Sequence, residues 1–247
     1  MNWQQPWIIG NWKMNGRRSS TAAFAQAWAE QRLPENVSTG IATPLPYLLG
    51  LKQAAPALPV GAQDVSRFDK DGAFTGETSA AMLADLGAQF VLLGHSERRQ
   101  YFGENNETLS AKLDNALAAG LTPILCVGET LAQRQAEQEQ AIVAEQLSVL
   151  RGKSMPHIAV AYEPVWAIGT GQVASAEQIA DMHAFIYAEL LSFANKSANI
   201  RALYGGSVNA QNAQTILTLP NVDGALVGGA SLQTDSFAAI VQAAAKQ

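Results

Sequence analysis

The chain of 247 residues has a single cysteine, Cys126. With no second cysteine there is no internal disulfide framework, and a reducing, intracellular setting fits best. Long apolar runs are also missing. Stretches such as 90–93 are far too short to cross a bilayer, and residues 1–16 lack the apolar core of a secretory signal because Lys13 and two asparagines, Asn11 and Asn15, interrupt the short apolar patch there. A cytoplasmic, membrane-free location is therefore expected. Basic residues do not dominate: 16 Lys plus Arg stand against 21 Asp plus Glu, a net charge of −5. That sign disfavours a protein that binds by neutralising nucleic-acid phosphates, yet one local positive field suffices for a small anion. No stretch reads as a linker, and no His/Cys/carboxylate spacing suggests a metal site.

What is present is an alternation. Short apolar or β-branched runs fall at 7–10, 37–42, 59–62, 90–93, 123–127, 158–161, 202–204 and 225–227. Ala-, Gln- and Glu-rich segments that read as helices lie between them, at 20–30, 48–55, 79–86, 106–119, 131–150, 176–193, 210–217 and 236–245. Strands alternating with helices require a parallel sheet with right-handed crossovers, and eight such units can close on themselves. The expected fold is α/β, a single-domain parallel (β/α)8 barrel spanning 1–247. An open doubly wound sheet is the alternative, disfavoured because no Gly-x-Gly-x-x-Gly follows the first strand.

In such a barrel, functional residues gather just after strand ends. Asn11 and Lys13 follow the first strand, His95 the fourth, Glu163 the sixth, Gly205-Gly206-Ser207 the seventh and Gly228-Gly229 the eighth. Glu163 is a candidate general base: the following Pro164 biases it toward extended backbone, and the segment from Trp166 to Gly171 has the composition of a movable lid. A structural salt bridge is the alternative for it. His95 precedes a helical turn whose positive end disfavours the imidazolium, so a neutral ring can donate to a carbonyl; otherwise it merely caps the turn. Lys13 suits a substrate anion or a developing oxyanion, unless it is one more solvated surface lysine; its neighbours Trp12 and Met14 argue that it points inward. Asn11 either donates to a substrate oxygen or ties a turn. The glycine pairs let backbone N–H groups approach an anion, with Ser207 adding a hydroxyl and Gly169 an N–H from the lid; the alternative is two ordinary turns. Glu97, Arg98 and Arg99 are expected to position His95 and Lys13 through ion pairs. Cys126 reads as a small buried residue, and His157 and His183 receive no role.

Taken together, Asn11-Trp12-Lys13, Gly94-His95-Ser96-Glu97-Arg98-Arg99, the ten residues from Tyr162 to Gly171, Tyr204-Gly205-Gly206-Ser207 and Val227-Gly228-Gly229-Ala230-Ser231-Leu232 make the chain resemble the triosephosphate isomerases over its whole length. The resemblance implies interconversion of dihydroxyacetone phosphate and D-glyceraldehyde 3-phosphate in glycolysis and gluconeogenesis, without metal or organic cofactor. It implies that Glu163 moves the proton and that His95 and Lys13 stabilise an enediolate. Asn11 would help orient the oxygens, while Gly169, Ser207, Gly228 and Gly229 hold the phosphate. This division of labour is the established account of that family and not a reading of these residues. The resemblance also implies a homodimer joined through Asp71-Gly72-Ala73-Phe74-Thr75-Gly76-Glu77; the alternative is that Phe74 covers its own barrel. One departure, Asn105-Asn106 where a hydroxyl residue and an acid are usual, bears only on local helix capping. Without the resemblance, another phosphate-binding barrel acting on a bulkier sugar phosphate and a catalytically silent scaffold remain as readings.

Overall fold

In a computed structural model that describes residues 1–153, 155–168, 173–193 and 198–245, the apolar runs are eight parallel strands. They are β1 (Trp7–Asn11), β2 (Ser38–Thr43), β3 (Val60–Ala62), β4 (Phe90–Leu93), β5 (Thr122–Val127), β6 (His157–Tyr162), β7 (Asn199–Tyr204) and β8 (Gly224–Val227). Each pairs with the next, and Trp7 of β1 registers with both Ser38 and Gly224, so the sheet closes and no edge is left unpaired. The expected (β/α)8 barrel is the observed one.

Strand periodicity sorts the core into two compartments. Trp7, Ile9, Phe90, Leu92, Ile124, Cys126 and Leu203 point into the barrel, whereas the alternate residues Ile8, Val91, Leu125 and Val127 face the helices. Phe90 fits the interior only because its neighbours on β2 and β3 are small: a Cβ at Gly61 would overlap the ring, and one at Gly40 would lie 2.9 Å from it. Cys126 is fully buried, as expected of a small core residue.

The helical layer is more broken than the sequence pattern suggests. Ten α-helices lie among the described residues: α1 (Arg18–Ala29), α2 (Leu45–Ala54), α3 (Ala80–Asp85), α4 (Ser96–Phe102), α5 (Asn106–Ala118), α6 (Leu131–Gln135), α7 (Glu139–Leu147), α8 (Ala176–Phe193), α9 (Ala213–Leu217) and α10 (Thr234–Ala244). The expected helix at 131–150 is two helices and a 3-10 turn, divided where Glu137 takes a left-handed φ of 56°. Nothing local announces that break, because every residue there is a good helix former. It ends one amphipathic segment and lets the next present Val143 and Leu147 to the barrel. The doubt over capping at Asn105 resolves simply: its side chain accepts from the Thr108 amide at 2.9 Å and caps α5.

His183 is a fully buried core histidine on α8, its Nδ1 2.9 Å from the carbonyl of Asn221 and its ring edge-on to Tyr162. Burial pushes its pKa from 6.5 down to about 4, against the pull of the Asn221 hydrogen bond. Because the folded value lies below the unfolded one, this group's contribution is complete above pH 6.5 and is lost as pH falls toward 4, by about 3 kcal/mol in all. Urea titrations at pH 7 and pH 5 should therefore show a fall in stability that is smaller in His183→Phe. Equal falls in the two proteins would exclude this origin.

Candidate active site

The carboxyl ends of the strands bring distant residues to one rim. After β1, Asn11 is buried and its Oδ1 accepts from the Lys13 amide at 3.0 Å, so it does tie the turn; its amide NH2 is left to face the cavity above the barrel. Lys13 sits at φ 51°, a strained value for a residue with a side chain, and Gln63 holds that turn by donating to the carbonyls of Lys13 at 2.9 Å and Ala42 at 3.0 Å. The strain aims the ammonium across the barrel mouth, where Nζ meets Glu97 Oε1 at 2.6 Å. Met14 does not turn inward with it and is 95% exposed, so only Trp12 supports the flanking argument.

His95 caps α4. Its Nδ1 accepts from the Glu97 amide at 3.3 Å, which leaves the ring proton on Nε2, facing Glu163 Oε1 at 2.8 Å. Burial pushes the imidazolium toward neutrality, but the Glu163 carboxylate and, more weakly, Glu97 outweigh it against Lys13, and the net direction is upward. The contacting carboxylate thus works against the neutrality that the helix end favours, although the accepting Nδ1 is that of a neutral ring.

Glu163 is 2% exposed and follows β6. One carboxylate oxygen is on His95 and the other accepts from the Ser96 amide at 2.9 Å, while its own backbone N–H donates to Val127 at 2.7 Å. The carboxylate has room because residue 205 is glycine: a Cβ there would lie 2.9 Å from Glu163 Cγ. Beyond Pro164 the chain forms a 3-10 turn, Val165–Ala167, held by a residue that sequence reasoning passed over. Glu129 is fully buried at the end of β5 and accepts from Tyr162 Oη at 3.1 Å, Trp166 Nε1 at 2.9 Å and Arg134 at 3.1 Å. Its place just after a strand end was the signal that could have found it. Gln63, after β3, was missed in the same way.

Ser207 donates to the carbonyl of Ala167 at 2.7 Å, joining the loop after β7 to the segment that follows the base. Gly228 and Gly229 open the 3-10 turn Gly229–Leu232; a Cβ at 229 would meet nothing within 4 Å, and one at 228 would come no nearer than 3.7 Å to Lys13 Cε. The glycine pair is thus open space beside an ammonium. A cavity of about 230 Å³ gathers Asn11, Lys13, His95, Glu163, Ser207, Gly228 and Gly229 around one volume. Gly169, with Thr170 and Gly171, lies outside the described residues. Of the expected charge cluster, Glu97 does pair with Lys13, but Arg98 turns away to Asp64 and Glu104, and the acceptors of Arg99 are neutral.

Comparison with known proteins decides what kind of barrel carries this rim. A sequence model of the family Triosephosphate isomerase matches residues 6–244. The chain belongs to the triosephosphate isomerase family. Relatives named triosephosphate isomerase include those of Neisseria meningitidis serogroup A, 55% identical over 98% of each chain, and of Paracidovorax citrulli, 49% identical over 96% of this chain and 98% of the relative. That of Rhodopirellula baltica is 48% identical over 96% of both. Within a triosephosphate isomerase scaffold, the other phosphate-binding barrels weighed from sequence are set aside.

Proposed function

We propose that this chain is a triose-phosphate isomerase, interconverting dihydroxyacetone phosphate and D-glyceraldehyde 3-phosphate through an enediolate, in glycolysis and gluconeogenesis. The observation that carries the reading is the meeting of Glu163, His95 and Lys13 around one small cavity, with an open glycine pair beside the Lys13 ammonium. A C–H beside a carbonyl is acidic enough to be removed only if the oxygen's developing charge is stabilised. Substrate oxygen takes the His95 Nε2–H and displaces Glu163, whose carboxylate then turns to the carbon. The proton moves to Glu163 and returns to the neighbouring carbon, while the imidazole exchanges a proton between the two oxygens. With the carboxylate turned away, burial, Lys13 and the Glu97 amide favour a neutral ring, and only the Glu97 carboxylate opposes them.

Asn11 orients the oxygens through its free amide. Lys13 balances both the phosphate and the enediolate, and Gly228, Gly229, Ser207 and Gly169 hold the phosphate, Ser207 through its backbone N–H because its hydroxyl donates to Ala167. No cofactor or metal is called for by proton transfer between adjacent carbons. The whole chain acts as one catalytic domain, in the cytoplasm; among the described residues no helix is long and apolar enough to cross a membrane.

The chain is also proposed to act as a homodimer through the loop 71–77. Phe74 stacks on Phe68 of its own chain, with centroids 3.6 Å apart, yet remains 38% exposed. Met14 and Phe102, 95% and 67% exposed, line a second cavity with Gly76 and Glu77 that opens onto Lys13 and His95. Apolar surface bordering a catalytic cavity is what a second copy would cover.

A coupled assay on D-glyceraldehyde 3-phosphate, run with a chelator present, tests the reading directly. Turnover of the triose phosphate and of no bulkier sugar phosphate is expected, together with a solution mass near twice 26.2 kDa. A folded protein inert toward both would favour the scaffold reading instead.

A further inference from the structure

Behind Glu163, on the side away from the cavity that faces Lys13, lies another cavity of about 410 Å³ whose walls include Glu163, Ser96, Arg99, Cys126 and Gln146. Arg99 is half-buried there and has no carboxylate in contact among the described residues. Its guanidinium donates to three neutral acceptors: the Gly94 carbonyl at 2.9 Å, Asn106 Oδ1 at 3.2 Å and the Cys126 carbonyl at 3.3 Å. Those acceptors are not scattered. Gly94 directly follows β4 and precedes His95, and Cys126 precedes Val127, whose carbonyl receives the Glu163 amide at 2.7 Å. The next residue, Gly128, lies so close to the Glu163 carbonyl that a Cβ would overlap it. One side chain therefore spans the two strand ends against which the base and its hydrogen-bonding partner are set.

We propose that Arg99 is a positioning residue for the base: it clamps the ends of β4 and β5 and supplies the positive charge that lies behind the Glu163 carboxylate. This rests on the isomerase reading above. A planar fork suits the task because a single guanidinium reaches both strand ends at once, which an ammonium does not. Its charge matters because Lys13, the cation on the other side of the carboxylate, is paired with Glu97. The groups facing Glu163 are Lys13 after β1, His95 at the start of α4, Cys126 at the end of β5 and Arg99 itself. Burial lowers the Arg99 pKa from its usual value, with Cys126, Glu104, Glu163 and, on α7, Glu145 opposing, but a guanidinium remains charged under all working conditions.

The test combines three variants with pH–rate profiles. Arg99→Met removes clamp and charge, and should lower kcat by about 10- to 100-fold, leave KM nearly unchanged and move the acid limb of kcat/KM to higher pH. Arg99→Lys keeps the charge without the fork, and should lower kcat while the acid limb stays in place. In Arg99→Ala the enlarged cavity should admit methylguanidinium, at concentrations far below denaturing ones, and recover activity several-fold. Wild-type kcat and acid limb in a folded Arg99→Met variant would overturn the proposal. Should that variant not fold, Arg99→Lys decides, since a displaced acid limb despite the retained charge would overturn it as well. Failure of methylguanidinium to restore a folded Arg99→Ala variant would do the same. If the unmodified protein itself turned over no triose phosphate, the isomerase reading would fail first, and separately.

Discussion

Glu163→Asp should lower kcat by about 100-fold or more while KM stays within a few-fold of its starting value. The substitution keeps the carboxylate and retracts it by about 1.5 Å, the length of one carbon–carbon bond. The backbone that carries it would not follow, because its amide is tied to Val127 and its carbonyl rests against Gly128. Phosphate recognition by the glycine pair and Lys13 is untouched, so binding survives and proton transfer does not. Steady-state kinetics in both directions check this. A kcat close to that of the unmodified enzyme would mean that another group takes the proton.

Lys13→Met should act differently, lowering kcat and raising KM together, with a combined loss in kcat/KM of about 1000-fold or more. The ammonium stands beside the glycine pair and across from His95, so it serves the phosphate in the ground state and the enediolate in the transition state. Methionine keeps an unbranched side chain of nearly the same reach and lacks the charge and the N–H donors of the ammonium. Two consequences separate this from misfolding. Competitive inhibition by inorganic phosphate should weaken in parallel with KM, and the melting temperature should hardly change, because Lys13 is partly exposed and its pairing with Glu97 contributes little to stability. Loss confined to kcat, with phosphate inhibition intact, would remove Lys13 from the phosphate site.

Much of this was legible before any coordinates. The bounds of α8 coincide with the expected helix at 176–193, because an amphipathic run of that length has one stable solution on a barrel surface. Asn11, Lys13, His95, Glu163, Ser207, Gly228 and Gly229 do share one rim, since a parallel barrel puts every strand's carboxyl end on the same side. The division of 131–150 at Glu137 was not legible, because a left-handed residue without glycine has no local signature. The strand-end places of Glu129 and Gln63 were legible but their roles were not, because Trp166 and Lys13, which they hold, lie 37 and 50 residues away.

The alternation of eight apolar runs with eight helical segments was enough to indicate a parallel barrel and the face on which chemistry gathers, because both follow from local periodicity and chain handedness. Which atoms meet on that face was settled only by folding. The carboxylate of Glu163 lies against the Ser96 amide and His95, Arg98 turns to Asp64 and Glu104 instead of the rim, and Arg99 bridges two strand ends. Charge sign and spacing are compatible with several pairings among these groups; burial, which penalises every unpaired donor and charge, selects one.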